Sequence, residues 1–121
     1  MRIVVCGTRT FDNKKLLFST LDKLTAKLDK ILVVSGGAKG ADRLGEDWAL
    51  SNGFTVEIYH AEWDKLGPKA GPIRNSEMVD SCSNKDALIA FWDGESSGTK
   101  DILEKARKKG MKVRVIKYKE P

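Results

Sequence analysis

The chain has 121 residues, 40% of them hydrophobic and 32% charged, with a formal net charge of +5. That length and balance fit one folded domain over residues 1–121 and exclude a low-complexity or disordered chain. No apolar run approaches the roughly 20 residues of a bilayer span, and two cysteines with one histidine make neither a disulfide framework nor a transition-metal site, so the expectation is a cytoplasmic protein without membrane contact, metal or cofactor.

Arg2 to Cys6 reads as a buried strand that ends in Gly7-Thr8-Arg9-Thr10. Asp12 or Asn13 can cap the helix that follows, on which Leu17, Leu21, Leu24 and Leu28 fall on one face. Ile31 to Ser35 is a second strand, β-branched in its middle, and it breaks into Gly36-Gly37-Ala38-Lys39-Gly40. The next helix carries Ala41, Leu44 and Trp48 on its apolar side and stops at Asn52-Gly53. A strand running through glycines into a helix is a candidate phosphate cradle. The first turn leaves about four amides without intrahelical partners, and the helix dipole makes that end positive. Lys39 adds a mobile charge.

Phe54 to Tyr59 is a third strand, followed by His60 to Gly71, a dozen residues with no periodicity and therefore a candidate functional loop. Pro72 suits the first position of a short helix through Asp80. Asp86 to Trp92 is a fourth strand, and Asp93-Gly94-Glu95-Ser96-Ser97-Gly98-Thr99 a second glycine loop. Its helix buries Ile102, Leu103 and Ala106 and ends at Gly110, and Val113 to Ile116 is the fifth strand.

This alternation predicts an α/β fold, a Rossmann-like three-layer α/β/α sandwich around a five-stranded parallel sheet in the order 3-2-1-4-5. Winding reverses between the first and fourth strands, and ligands of such sheets bind outside the carboxyl ends there. Gly7-Thr8-Arg9 and Asp93-Gly94 flank that crevice, with Ser35-Gly36-Gly37 beside them. The common nucleotide fingerprints are absent: neither G-x-x-x-x-G-K-[ST] nor a G-x-G-x-x-G after the first strand occurs. Gly94-Glu95-Ser96-Ser97-Gly98 matches a hydrolase nucleophile elbow, but the sole histidine, His60, precedes the serine, against the order of that triad.

Four segments together, Gly7-Thr8-Arg9, Ser35 to Asp42, Ala70 to Asn75 and Phe91 to Thr99, resemble the YspA-like branch of the SLOG superfamily, in order and over Ile3 to about Ile116. The resemblance implies a Rossmann-like domain that binds nucleotides or nucleotide-derived ligands such as ADP-ribose. Relatives in the Lonely Guy group are phosphoribohydrolases; their catalytic arginine maps to Arg74, and their glycine motif is similar to the segment ending Gly98-Thr99. Where they carry a glutamate three residues further on, this chain has Ile102, with Asp101 one position short, about 100° away on a helix. That departure weighs against hydrolysis and leaves Arg74, Asp101 and Glu95 as the catalytic candidates. A related module in the DNA-processing protein DprA binds DNA, so the resemblance also implies a nucleic-acid reading.

Several residues have two readings. Arg9 and Arg74 bind phosphate or pair with surface acids. Asp42 contacts ligand or neutralises a helix start. Asp93 accepts ribose hydroxyls or fixes its turn, while Trp63 and Trp92 stack on a base or pack. Asn75, Ser97 and Thr99 complete the expected ligand set with Gly7, Thr8, Ser35, Gly36, Gly37, Lys39, Gly40, Gly94 and Gly98. Nine Lys/Arg against three Asp/Glu from Lys100 to Pro121 mark either a nucleic-acid surface or a solvated helix and a lysine-protected edge strand. The leading expectation is a small nucleotide-type partner spanning two helix-opening glycine loops, with nucleic acid second and homo-oligomerisation open.

Overall fold

Strand and helix alternate as the periodicities require: β1 (Arg2–Gly7), α1 (Lys14–Leu24), β2 (Leu32–Ser35), α2 (Ala41–Ser51), β3 (Thr55–Ile58), α3 (Trp63–Leu66), α4 (Ala70–Asp80), β4 (Ala87–Trp92), α5 (Ser97–Lys109) and β5 (Lys112–Lys117). The computed structural model describes residues 1–118; positions 119–121 of the basic tail lie outside the described residues. The five strands form one parallel sheet in the order β3-β2-β1-β4-β5, the doubly wound Rossmann-like arrangement.

Alternation along β1 builds both faces. Ile3 and Val5 join Leu17 and Leu21 of α1 and Trp48 of α2 in one core, whereas Val4 and Cys6 join Met78 and Val79 of α4 and Ile102 and Leu103 of α5 in the other. The inner strands are buried on both sides, which is why Val4, Val5, Leu88 and Ala90 are apolar in unbroken runs. Trp48 fills its core and donates Nε1–H to Asp22 Oδ1 at 2.9 Å, tying α2 to α1. Among the described residues no helix is long and apolar enough to cross a membrane.

Three boundaries differ from the sequence reading. Asn13 caps α1, accepting from Leu16 N at 3.0 Å, but the helix stops at Leu24. Thr25 turns both its amide (3.0 Å) and its hydroxyl (2.7 Å) onto Leu21 O, a local bond that competes with another turn of helix. Leu28 therefore lies beyond α1, and Leu24 and Leu28 are each 37% exposed. The His60-to-Gly71 segment is not irregular: it holds α3 and a 3-10 turn at Gly67–Lys69, and α4 begins at Ala70. Pro72 is thus the third residue of α4, not the first, and it is tolerated because no amide in a first turn has an intrahelical acceptor. The two glycine loops do not open their helices alike either. Gly40, four residues after Gly36, is the N-cap of α2, while Ser96 caps α5 and leaves Gly98 inside it.

Gly45 sits where α2 crosses the sheet. A Cβ there would stand 2.6 Å from Val5 Cγ1 and 2.8 Å from Val5 Cβ, atoms fixed by the strand. Helix propensity alone would make Gly45→Ala stabilising by about 1 kcal/mol, but overpacking costs about 1–3 kcal/mol. The contact should win: we expect Gly45→Ala to lower stability by about 1–2 kcal/mol. Urea unfolding checks this, and a midpoint at or above that of the parent would show that Val5 and the helix separate freely.

Candidate functional site

A cleft of about 620 Å³ opens at the carboxyl edge of the sheet, where the loops after β1 and β4 part and α4 passes over them. It lies at the reversal of winding between β1 and β4. The loop after β1 brings Gly7, Thr8 and Arg9 to it, and the first turn of α5 brings Ser97, Gly98 and Thr99. A stripe of α4 at helical spacing, Gly71, Arg74, Asn75 and Met78, forms the opposing wall, Asp42 and Cys6 reach its floor, and Trp63 stands at the rim.

Its polar side chains are held by one another. Arg74 donates Nη1–H to Gly36 O at 2.6 Å and Nε–H to Asn75 Oδ1 at 3.1 Å. Asn75, nearly buried, donates Nδ2–H to Gly98 O at 3.2 Å and to Asp101 Oδ2 at 3.0 Å. Asp101 is also paired with Lys105 Nζ at 2.8 Å. The arginine on α4 and the start of α5 are therefore one braced unit. Burial lowers the Arg74 pKa, and the nearby charge of Asp42 acts to raise it. Arg9 is exposed and lies over the Trp63 ring, 5.6 Å from its centroid, a cation–π contact. Trp63 in turn packs toward Gly71, where a Cβ would come within 3.0 Å of Cη2.

At α5, Ser96 Oγ accepts from Thr99 N at 3.4 Å, so the elbow serine is a helix cap. The amides of Ser97 and Gly98, the first two helical positions, have no intrahelical acceptor. A Cβ on Gly98 would meet nothing within 4 Å, so the backbone there borders open space.

The first glycine loop is different. Ser35 is wholly buried, donating to Glu46 Oε2 at 2.6 Å and accepting from Gly37 N at 3.1 Å. Asp42 Oδ2 accepts from Ala38 N at 3.3 Å. The expected cradle thus holds its own side chains, and of Ser35, Gly36, Gly37, Lys39 and Gly40 none lines the cleft; Ala38 and Asp42 do. Gly36 sits beneath Arg74, Gly37 faces Ile58 and His60, and Lys39 is exposed. Gly40, at φ 77°, lies so close to Thr8 O and Arg9 O that no Cβ fits.

Asp93, Gly94 and Glu95 also stand outside the cleft lining. Asp93 Oδ1 accepts from Glu95 N at 2.9 Å and Ser96 N at 3.0 Å, which fixes its turn and lowers its pKa. Trp92 packs at the edge, donating Nε1–H to Ser96 O at 3.1 Å. Ile102 is a buried core residue at the edge of the cleft lining. Sequence reasoning did not single out Met78, and it held Ala38 and Gly71 only within longer segments, not as ligand residues. The α4 pair had a signal, the i, i+3/i+4, i+7 spacing through Arg74 and Asn75.

A five-stranded parallel sheet in the order β3-β2-β1-β4-β5, with a cleft at its switch point, defines a Rossmann-like α/β domain. The description "YspA, cpYpsA-related SLOG family" fits residues 1–66. Over 118 residues the chain is 36% identical to the Gene 61 protein of Mycobacterium phage D29, covering 93% of each. The chain belongs to this SLOG family. Among solved structures it is similar to DNA processing protein A (DprA) from Streptococcus pneumoniae, with a TM-score of 0.73 at 21% identity, over 97% of this chain. It spans 50% of the DprA chain, so that likeness concerns the fold.

Asp42 carries a stability signature. Burial foremost raises its pKa to about 6 from the model-compound 3.8, with Glu46 adding to the rise, while the Ala38 amide, Arg74 and the Gly36 amide oppose it. A folded-state pKa above the unfolded one means that the charged form disfavours folding. Stability linked to Asp42 is highest below about pH 4 and falls as pH rises through 6. Asp42→Asn should therefore gain on the parent by about 2–3 kcal/mol between pH 4 and pH 8. Paired urea titrations at the two pH values measure this, and a constant difference would remove the linkage.

Proposed function

We propose that the chain binds a nucleotide-type small molecule in the switch-point cleft, with phosphate against Arg74, Arg9 and the start of α5 and the base toward Trp63. One observation carries this reading: Arg9, Arg74 and the Ser97-Gly98 amides, which reach the site from three different elements, line one cleft of about 620 Å³ with an aromatic side chain at its rim. Charge-assisted bonds from a planar guanidinium and helix-end amides are what a phosphate needs. Family membership supports the same reading. The volume lies within the range of pockets that enclose drug-sized ligands, and it favours a diphosphate-linked nucleotide of the ADP-ribose kind over a mononucleotide. Ser97, Gly98, Thr99, Thr8 and Gly7 would line the phosphate path, and Asn75 would hold Arg74 in place.

Calorimetry tests this. ADP-ribose should bind more tightly than AMP, and Arg74→Ala should weaken ADP-ribose binding by about 1.5–3 kcal/mol. Gly98→Val should abolish binding by placing methyls in the open space beside the first turn of α5. One mononucleotide-sized ligand gives a shallow dependence on salt, whereas a steep slope would signal many phosphate contacts and a nucleic-acid partner. Equal affinity for AMP would remove the diphosphate preference, and an indifferent Arg74→Ala would return the arginine to a purely structural role.

Turnover is a separate matter. Ile102 and Asp101 both line the cleft, but Ile102 is apolar and the Asp101 carboxylate is engaged by Asn75 and Lys105. Release of free base from nucleoside monophosphates should be slow or absent. Efficient release would make Asp101, which lines the cleft, the acid–base group.

A further inference from the structure

Beneath Arg74, the loop between β2 and α2 already holds an anion, and that anion belongs to the chain. Asp42 is only 5% exposed, yet it lines the cleft floor. Its Oδ2 accepts from the Ala38 amide at 3.3 Å, and the Gly36 amide also supports its charge. A Cβ on Gly36 would stand 2.8 Å from both Arg74 Nη1 and Asp42 Oδ2, so the two charged atoms are no more than twice that distance apart. An aspartate that only neutralised an exposed helix start would be solvated and indifferent to the cleft. This one is taken out of water beside the guanidinium to which a phosphate would come.

We infer that Asp42 sets the affinity of the cleft for anions, acting through Arg74 as a resident carboxylate with which a bound phosphate must share the guanidinium. The inference rests on the reading of the cleft as an anion site. An anion arriving at Arg74 adds a second negative charge within the same poorly solvated pocket, and like charges there are relieved when the weaker acid takes a proton. Asp42, already raised to about 6 by burial, is that acid. Binding is then accompanied by proton uptake at Asp42, and anions bind more tightly as pH falls.

The other charged or titratable groups facing Asp42 do not produce the same pattern. Arg74 on α4 stays charged throughout this range. Cys6 on β1 is held as a neutral thiol by burial. Glu46, one turn along α2, is fastened to Ser35 Oγ and paired with Arg43 Nε at 3.8 Å. Lys39 and Arg9 are exposed. His60, beyond β3, lies across Gly37 and serves as the control.

Two probes whose own charge is constant between pH 5 and pH 8 make the test, ADP-ribose, with its diester diphosphate, and inorganic sulfate. Both are titrated into the intact protein while amide shifts are followed by NMR. The parent should bind each about tenfold more tightly at pH 5 than at pH 8, the effect of a one-unit rise in the Asp42 pKa on binding. Asp42→Asn should bind at pH 8 as the parent does at pH 5, with a flat profile, and His60→Gln should keep the parent profile. A merely structural role for Asp42 would shift affinity without flattening the pH dependence. If ADP-ribose fails to bind while sulfate follows the expected profiles, the nucleotide reading falls and the inference stands. A flat parent profile for sulfate, a pH dependence that survives Asp42→Asn or disappears in His60→Gln, or no sulfate binding in parent and variant alike, overturns it.

Discussion

Thr8 is held from three directions, and the loop ends at the mouth of the cleft are fastened there. Its amide donates to Phe91 O at 3.0 Å, its hydroxyl accepts from Asp93 N at 3.1 Å, and its carbonyl accepts from Ala41 N at 3.4 Å. These bonds fasten the loop after β1 to the end of β4 and to the start of α2. The close approach requires Gly40, since a Cβ there would overlap Thr8 O and Arg9 O. At roughly 1 kcal/mol for each bond the junction is not the chief source of stability, which lies in the two apolar cores. It decides geometry instead, placing three loop ends at one mouth and leaving Arg9 to project beyond it toward Trp63.

The two glycine loops divide the work. Around β2 and α2 the polar groups close on themselves: Ser35 with Glu46 and Gly37, Asp42 with Ala38, and the Gly36 carbonyl with Arg74. Around β4 and α5 the turn is likewise self-contained at Asp93, yet the first helical amides border open space. One helix start is thus built into the scaffold and the other faces the cleft. Asn75 joins the two sides, since it receives Arg74 on one edge of its amide and reaches Gly98 O and Asp101 with the other. Positive charge at the mouth is consequently pre-oriented, and the negative charge nearest to it belongs to the chain itself.

Much of this was legible in the residue order. Local periodicity and turn chemistry determined by themselves that strands and helices alternate, that Leu17, Leu21, Trp48, Ile102 and Leu103 face cores, and that the sheet is parallel in the order 3-2-1-4-5, because a buried parallel sheet needs apolar runs and right-handed crossovers leave few topologies. The same reasoning placed Gly7, Thr8 and Arg9 at the crevice, whereas Arg74 and the Gly98-Thr99 segment were singled out by the family resemblance. Tertiary structure alone decided which polar groups are already satisfied. That Ser35 is sealed under Glu46, that Asp42 fills its own loop, that Gly40 rather than Gly36 or Gly37 is the steric hinge, and that α4 starts early enough to bring Gly71 and Met78 to the wall all depend on partners distant in sequence. Hydrogen-bond acceptors and buried charges are chosen by what stands across the fold, within about 3 Å, and spacing along the chain carries no record of that distance.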